Sequence, residues 1–179
     1  MKMAAFARFT SDGQLDSHFN GVGYLTTMVG NIGPFSSSAS IAFQHDGKIP
    51  ITGDSRFYFV RLLGNDGSLD KGIGFGGVGG VVDLPGTYSG VIRASILQPD
   101  GKLIAVGETQ ADGVASAFVT RITPDLHSDT TFGIEGSIAL PGAGAGRFHA
   151  VALDNEGRIL AAGHQATTAS DPMLYRIWP

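Results

Sequence analysis

QPDGKLIAVG, residues 98–107, has two imperfect copies in this chain: FQHDGKIPITG at 43–53 and LDNEGRILAAG at 153–163. The turn glycines Gly47, Gly101 and Gly157 fall 54 and 56 residues apart, and repetition at that interval indicates an array of like units. Two further phrases recur in phase with the first. An apolar stretch around one arginine appears as FARF (6–9), FVRL (59–62), VTRI (119–122) and LYRI (174–177), so Arg8, Arg61, Arg121 and Arg176 mark four units. After the arginine come SDGQLDSHFNGVG from Ser11, NDGSLDKGIGFGGVGG from Asn65 and PDLHSDTTFGIEG from Pro124. Three phrases repeating in one order specify the architecture.

Within one unit the residues predict four short strands. Residues 94–98 alternate up to Asp100-Gly101, a dipeptide suited to a type I′ hairpin turn, in which both central residues have positive φ. Residues 102–107 return as the second strand. Residues 117–122 alternate again, with Phe118, Thr120 and Ile122 on one face and Val119 and Arg121 on the other, and 137–140 close the unit. No window carries a sustained helical period, and the 27 glycines weaken helices throughout. The expected class is all-β: four-stranded antiparallel blades of the β-propeller type, packed radially.

The phrases also resemble a known family, the delta-60 repeat of bacterial β-propeller proteins, whose unit reads approximately LQPDGKILVAG, then FALARYNPDGSLDTSFG, then GGVV. The resemblance covers nearly the whole chain, and it implies the same blade and an exported or cell-surface setting. Three departures carry expectations of their own. Pro50 interrupts a second strand and favours an edge or a distorted pairing. Leu126 and Ser128 replace the turn Gly and following Leu of the other units, which predicts a different turn there. Phe75 comes two residues later than Phe19 suggests, with Ile73 competing for its pocket.

The spacing divides a single domain, residues 1–179, into a partial unit (1–35), complete units (36–90 and 91–147) and a partial unit (148–179). That is about three blades, against the four to eight of typical propellers. The expectation is a ring completed by a partner chain, as a homodimer or other homo-oligomer, or a piece of a longer propeller.

Composition excludes several partners. The net charge is −4, with 12 Lys and Arg spread along the sequence, so no basic stripe invites nucleic acid. No apolar run approaches the ~20 residues of a membrane span, and residues 1–9 lack a signal-peptide core. Without cysteine there is no disulfide, thiolate nucleophile or thiolate metal site. No cofactor is expected.

Candidate functional residues are few. His18, His45 and His127 sit beside repeat turns and read as solvated side chains, whereas His149 and His164 flank the strands of the last unit. No HExxH spacing supports zinc. Asp12, Asp46, Asp66 and Asp100 precede turn glycines and need no ligand to explain them; Asp154-Asn155-Glu156-Gly157 is too compact for a calcium loop. Asp16, Asp70 and Asp129 recur in step with the arginines, which predicts a structural Arg–Asp contact in each blade. GAGAGR at 142–147 precedes a strand rather than a helix, unlike a phosphate cradle.

In an up-and-down blade the repeat turns lie on one face, and everything variable lies on the other: 28–39, 84–91 and 140–148 between blades, then 54–57, 108–117 and 164–173 within them. Loops on a rigid scaffold accumulate binding residues. There Phe35, Arg56, Tyr88, Arg93, Arg147, His149 and His164 are the candidate ligand contacts, all equally readable as ordinary rim residues, with Arg56 and Arg93 solvated. An aromatic and arginine set suits protein or carbohydrate contact. The sequence therefore points to a non-catalytic repeat module for protein or glycan binding, self-assembly, or both. The alternative is a hydrolase or lyase at the channel mouth, with His149 and His164 as acid and base.

Overall fold

The computed structural model describes residues 4–27, 38–53, 58–64, 66–70, 72, 81–83, 89–111, 114–140, 145–166 and 171–178. These residues form strands and, among them, no helix. Two complete four-stranded meanders contain β3 (Ser38–Ile41), β4 (Ile49–Gly53), β5 (Tyr58–Leu62) and β6 (Val81–Asp83), then β7 (Ser89–Leu97), β8 (Leu103–Ala111), β9 (Val114–Ile122) and β10 (Ser137–Ala139). Before them stands a two-stranded sheet, β1 (Ala4–Ala7) with β2 (Tyr24–Thr27). After them come three strands, β11 (Ala145–Leu153), β12 (Ile159–Ala166) and β13 (Asp171–Ile177). Every pairing is antiparallel, and the first strands β3, β7 and β11 approach one another across successive sheets. The strands of the first hairpins run longer than the alternation predicts, because β7 begins at Ser89 and β8 continues to Ala111.

The turn of the repeat phrase differs from the expected type. Gly101 has φ +85° whereas Asp100 is not in the left-handed region, so a type I′ turn is excluded. Gly101 N–H donates to the Gln98 carbonyl at 2.9 Å and Gln98 N–H to the Lys102 carbonyl at 2.7 Å. That is a type I turn followed by a left-handed glycine, and Pro99 belongs there because its fixed φ suits the second position of a type I turn. Asp100 Oδ1 accepts the Lys102 N–H at 3.1 Å, an Asx bond that fixes the aspartate without a ligand.

Leu126 corrects a second expectation. Leu126 N–H donates to the Thr123 carbonyl at 2.9 Å and Thr123 N–H to the His127 carbonyl at 2.8 Å, the same loop again. Leu126 occupies the glycine position at φ +61°, and burial against Ile92, Leu103, Phe118 and Ile122 offsets the strain of a side chain in that region. Pro50 lies in β4, between β3 and β5, in register with Arg61, so it is not at an edge. The pairing is distorted instead: the Pro50 carbonyl accepts the Ala42 N–H at 3.1 Å with no N–H to return, and the β3–β4 ladder stops at Ile41–Ile51 whereas the matching β7–β8 ladder runs to Leu97–Leu103.

Apolar clusters weld each sheet to the next. Phe19, Ile49, Ile51 and Leu62 pack with Phe6, Leu25 and Leu69; Ile104, Val106, Ala117 and Val119 pack with Phe132, Phe148, Ile159 and Ala161. Between them run the repeat arginines. Arg61 is buried and donates from Nε to Asp70 at 2.9 Å, and Arg121 is buried and donates to Asp129 at 2.7 Å. Arg8 makes the same bond to Asp16 at 2.8 Å, while Arg176 is exposed, with no ion pair among the described residues. Arg8 and Arg121 also stack over Phe19 and Phe132, 5.1 and 4.7 Å from the ring centroids. The lysine of the phrase joins the pair, with Lys102 Nζ 3.0 Å and Lys48 Nζ 3.5 Å from Asp129 and Asp70. Burial opposes ionising Asp129, but bonds from Thr131 and Lys102 and the charge of Arg121 prevail and hold its carboxyl well below the usual carboxylate range. A further bond crosses between sheets: Arg61 Nη1 donates to the Pro124 carbonyl at 2.5 Å, and Arg8 Nη1 donates to the Gly64 carbonyl.

Candidate functional site

The first hairpin of each of the last three sheets carries one shared irregularity. Between β3 and β4, β7 and β8, and β11 and β12 the register slips by one residue, leaving Ala39, Arg93 and His149 as the extra residue of a β-bulge. Beside the bulge stand Gly53, Gly107 and Gly163. A Cβ on Gly107 would lie 1.9 Å from the Val91 carbonyl oxygen, and one on Gly163 1.9 Å from that of Arg147. The last glycine of the repeat phrase is therefore what the bulge requires.

Bulges re-aim side chains, and here they set up pairs. Arg93 Nη2 donates to Glu108 Oε1 at 2.9 Å. In the next sheet His149 Nε2 lies 2.9 Å from His164 Nδ1, with the rings stacked at 4.9 Å between centroids and 24° between planes. At that distance one ring donates and the other accepts, so the pair holds a single proton between the facing nitrogens.

Glu108 links the two sheets. Arg147 Nε on β11 lies 3.0 Å from Glu108 Oε2, yet its N–H is not aimed at the oxygen. Arg147 Nε, Arg93 Nε and Glu108 Oε2 are buried atoms without an aligned hydrogen-bond partner. Two guanidiniums thus share one carboxylate, leaving a formal excess of one positive charge when both imidazoles are neutral. His149 keeps an exposed edge, but desolvation first, then Arg93, His164 and Arg147, push its imidazole below the ordinary value, with Glu108 acting the other way.

Four of the candidate residues, Arg93, Arg147, His149 and His164, thus converge around the mid-strand bulges of β7 and β11, while Phe35, Arg56 and Tyr88 lie outside the described residues, as do Ile73 and Phe75. Glu108 was missed by sequence reasoning. The available signal was positional, since it follows the phrase glycine where the next unit has His164. Among the described residues, no group of three or more His, Asp and Glu side chains is placed to hold a metal ion. His18, His45 and His127 are exposed at their turns, and His18 Nδ1 lies 3.0 Å from Asp16.

A family described as "Domain of unknown function (DUF5122) beta-propeller" matches residues 98–132, the span from the β7–β8 turn through the Arg121–Asp129 pair to Phe132. The fold is a β-propeller. No curated protein matches the chain. The matched segment contains Glu108 but stops short of Arg147, His149 and His164, so the propeller match carries the stacking residues and says nothing of the cluster.

Proposed function

We propose that residues 1–179 act as a non-catalytic repeat module of the delta-60 kind, binding a protein or glycan at the bulges of its first strands and assembling with further copies of itself. The binding half rests on the convergence of Arg93, Glu108, Arg147, His149 and His164, charged and polar groups gathered at the β7 and β11 bulges. Such a set favours recognition over hydrolysis, because the two imidazoles bond to each other and the described residues around them include no nucleophile.

The assembly half rests on exposure. Phe9 is 61% exposed although its equivalents Leu62 and Ile122 are 1% and 0%; Leu174 is 71% exposed although Val119 is 0%. In the inner sheets those positions are covered by a neighbouring sheet, and a further blade of the same repeat supplies the matching surface.

The test has two parts. Light scattering at micromolar concentration reads a dimer or larger species, and a stable monomer sinks the assembly half. Substituting Tyr88, Arg147 and His149 together abolishes capture on a glycan array or by a purified partner while leaving the melting temperature nearly intact. Capture that survives this change but is lost in Lys102→Glu, on the repeat-turn face, assigns binding to the other face.

A further inference from the structure

We propose that the ligand group seated at the Arg93–Glu108–Arg147–His149–His164 cluster is a carboxylate, and that the paired imidazoles make its binding tighten as pH falls. This rests on the binding reading above and names what the site recognises. Arg147 is the anchor. None of its guanidinium nitrogens has an aligned acceptor among the described residues, its side chain is 34% exposed, and the nearest carboxylate, Glu108, is already committed to Arg93. A guanidinium fork matches a planar carboxylate in both geometry and charge.

Charge decides between anions. With neutral imidazoles the described cluster has one positive charge in excess, enough to neutralise a monoanion; a dianion brings a second negative charge beside Glu108. The groups facing the imidazole of His149 are Arg93 from β7, Glu108 from β8, Arg147 from β11 and His164 from β12. Without ligand, a proton added to the neutral histidine pair meets two guanidiniums and one carboxylate. A bound carboxylate changes that balance to two against two, so ligand and proton favour each other, and by linkage affinity rises as pH falls.

The experiment is an NMR titration of the full chain, following the histidine ring resonances, with glucuronate and N-acetylglutamate as probes. Their neutral counterparts glucose and N-acetylglutamine, and inorganic phosphate, serve as comparisons, at about pH 7.5 and about pH 5.5 on either side of the ordinary imidazole value. Expected are shifts of His149 and His164 with either carboxylate and not with the neutral compounds, and several-fold tighter binding at the lower pH. Arg147→Gln weakens binding about tenfold, the loss of one charge-assisted contact, Glu108→Gln tightens it by removing the internal competitor, and His149→Gln flattens its pH dependence. Whichever carboxylate binds more tightly indicates whether a sugar acid or an acidic side chain presents the group.

Equal binding of neutral analogues, tighter binding of phosphate, an affinity that is flat or falls towards pH 5.5, or an Arg147→Gln protein that folds and binds normally would each overturn the proposal. Its failure is separable from that of the binding reading. Carboxylates that leave the cluster untouched, with capture still lost in the Tyr88, Arg147, His149 triple variant, sink the carboxylate assignment alone. Carboxylates that bind the cluster, with capture intact in the triple variant, sink the binding reading.

Discussion

His149 Nε2 and His164 Nδ1, 2.9 Å apart, occupy the repeat positions at which the preceding blade sets Arg93 against Glu108. An ion pair in one blade is thus replaced by a hydrogen-bonded imidazole pair in the next. The replacement has a sign in pH. Desolvation and the neighbouring cations lower the basicity of His149 in the folded state, so below the ordinary imidazole value of 6.5 the unfolded chain binds more protons than the folded one. His149 therefore contributes stability that is complete above that value and declines as pH falls through it. Thermal melts between about pH 7.5 and about pH 5.5 should fall more steeply for the natural chain than for His149→Gln, and parallel curves would refute the coupling.

The repeat arginines divide by burial. Arg121→Ala strips Asp129 of its bond in a buried setting and should destabilise by about 2–4 kcal/mol. Arg176→Ala changes an exposed side chain and should stay within about 0.5 kcal/mol. Denaturant unfolding of both variants checks the contrast.

Gly163→Ala pushes a methyl into the Arg147 carbonyl and should cost about 1–3 kcal/mol, the range for overpacking with backbone shift. Its second readout is local. Relaxing the bulge separates the His149 and His164 rings, which removes the effect of His164 on the NMR titration of His149.

Leu126 reverses an ordinary ranking. In most sites glycine is worse than alanine by about 0.5–1 kcal/mol, but at φ +61° alanine carries about 1–2 kcal/mol of left-handed strain that glycine lacks. Leu126→Ala should lose about 2–5 kcal/mol by vacating a buried site, and Leu126→Gly should be no less stable than Leu126→Ala.

The sheets were legible because each phrase couples turn chemistry to strand alternation, and that coupling survives Pro50 and Leu126. The ends of the strands were not legible. Arg93 and His149 are extra residues in a bulge, so apolar alternation breaks there and the reading of β7 began only at Ala94. The turn type was readable in principle, since Pro99 favours the second position of a type I turn. Of the cluster, four residues were found as members of a variable face, but their pairing depends on where a bulge points a side chain. Glu108 was missed because its role belongs to a repeat position whose occupant changes from blade to blade, so no recurring letter marks it.

The bonds from Arg8 and Arg61 to the next sheet end on main-chain oxygens, those of Gly64 and Pro124. Glycine and proline share little except a carbonyl, so the joint demands nothing of the side chain it meets. At this joint a blade can follow another without a matching change in the residue that accepts the bond. A chain built on such joints lengthens by copying one unit in frame, and the bulge positions of its blades are free to diverge while these joints stay interchangeable.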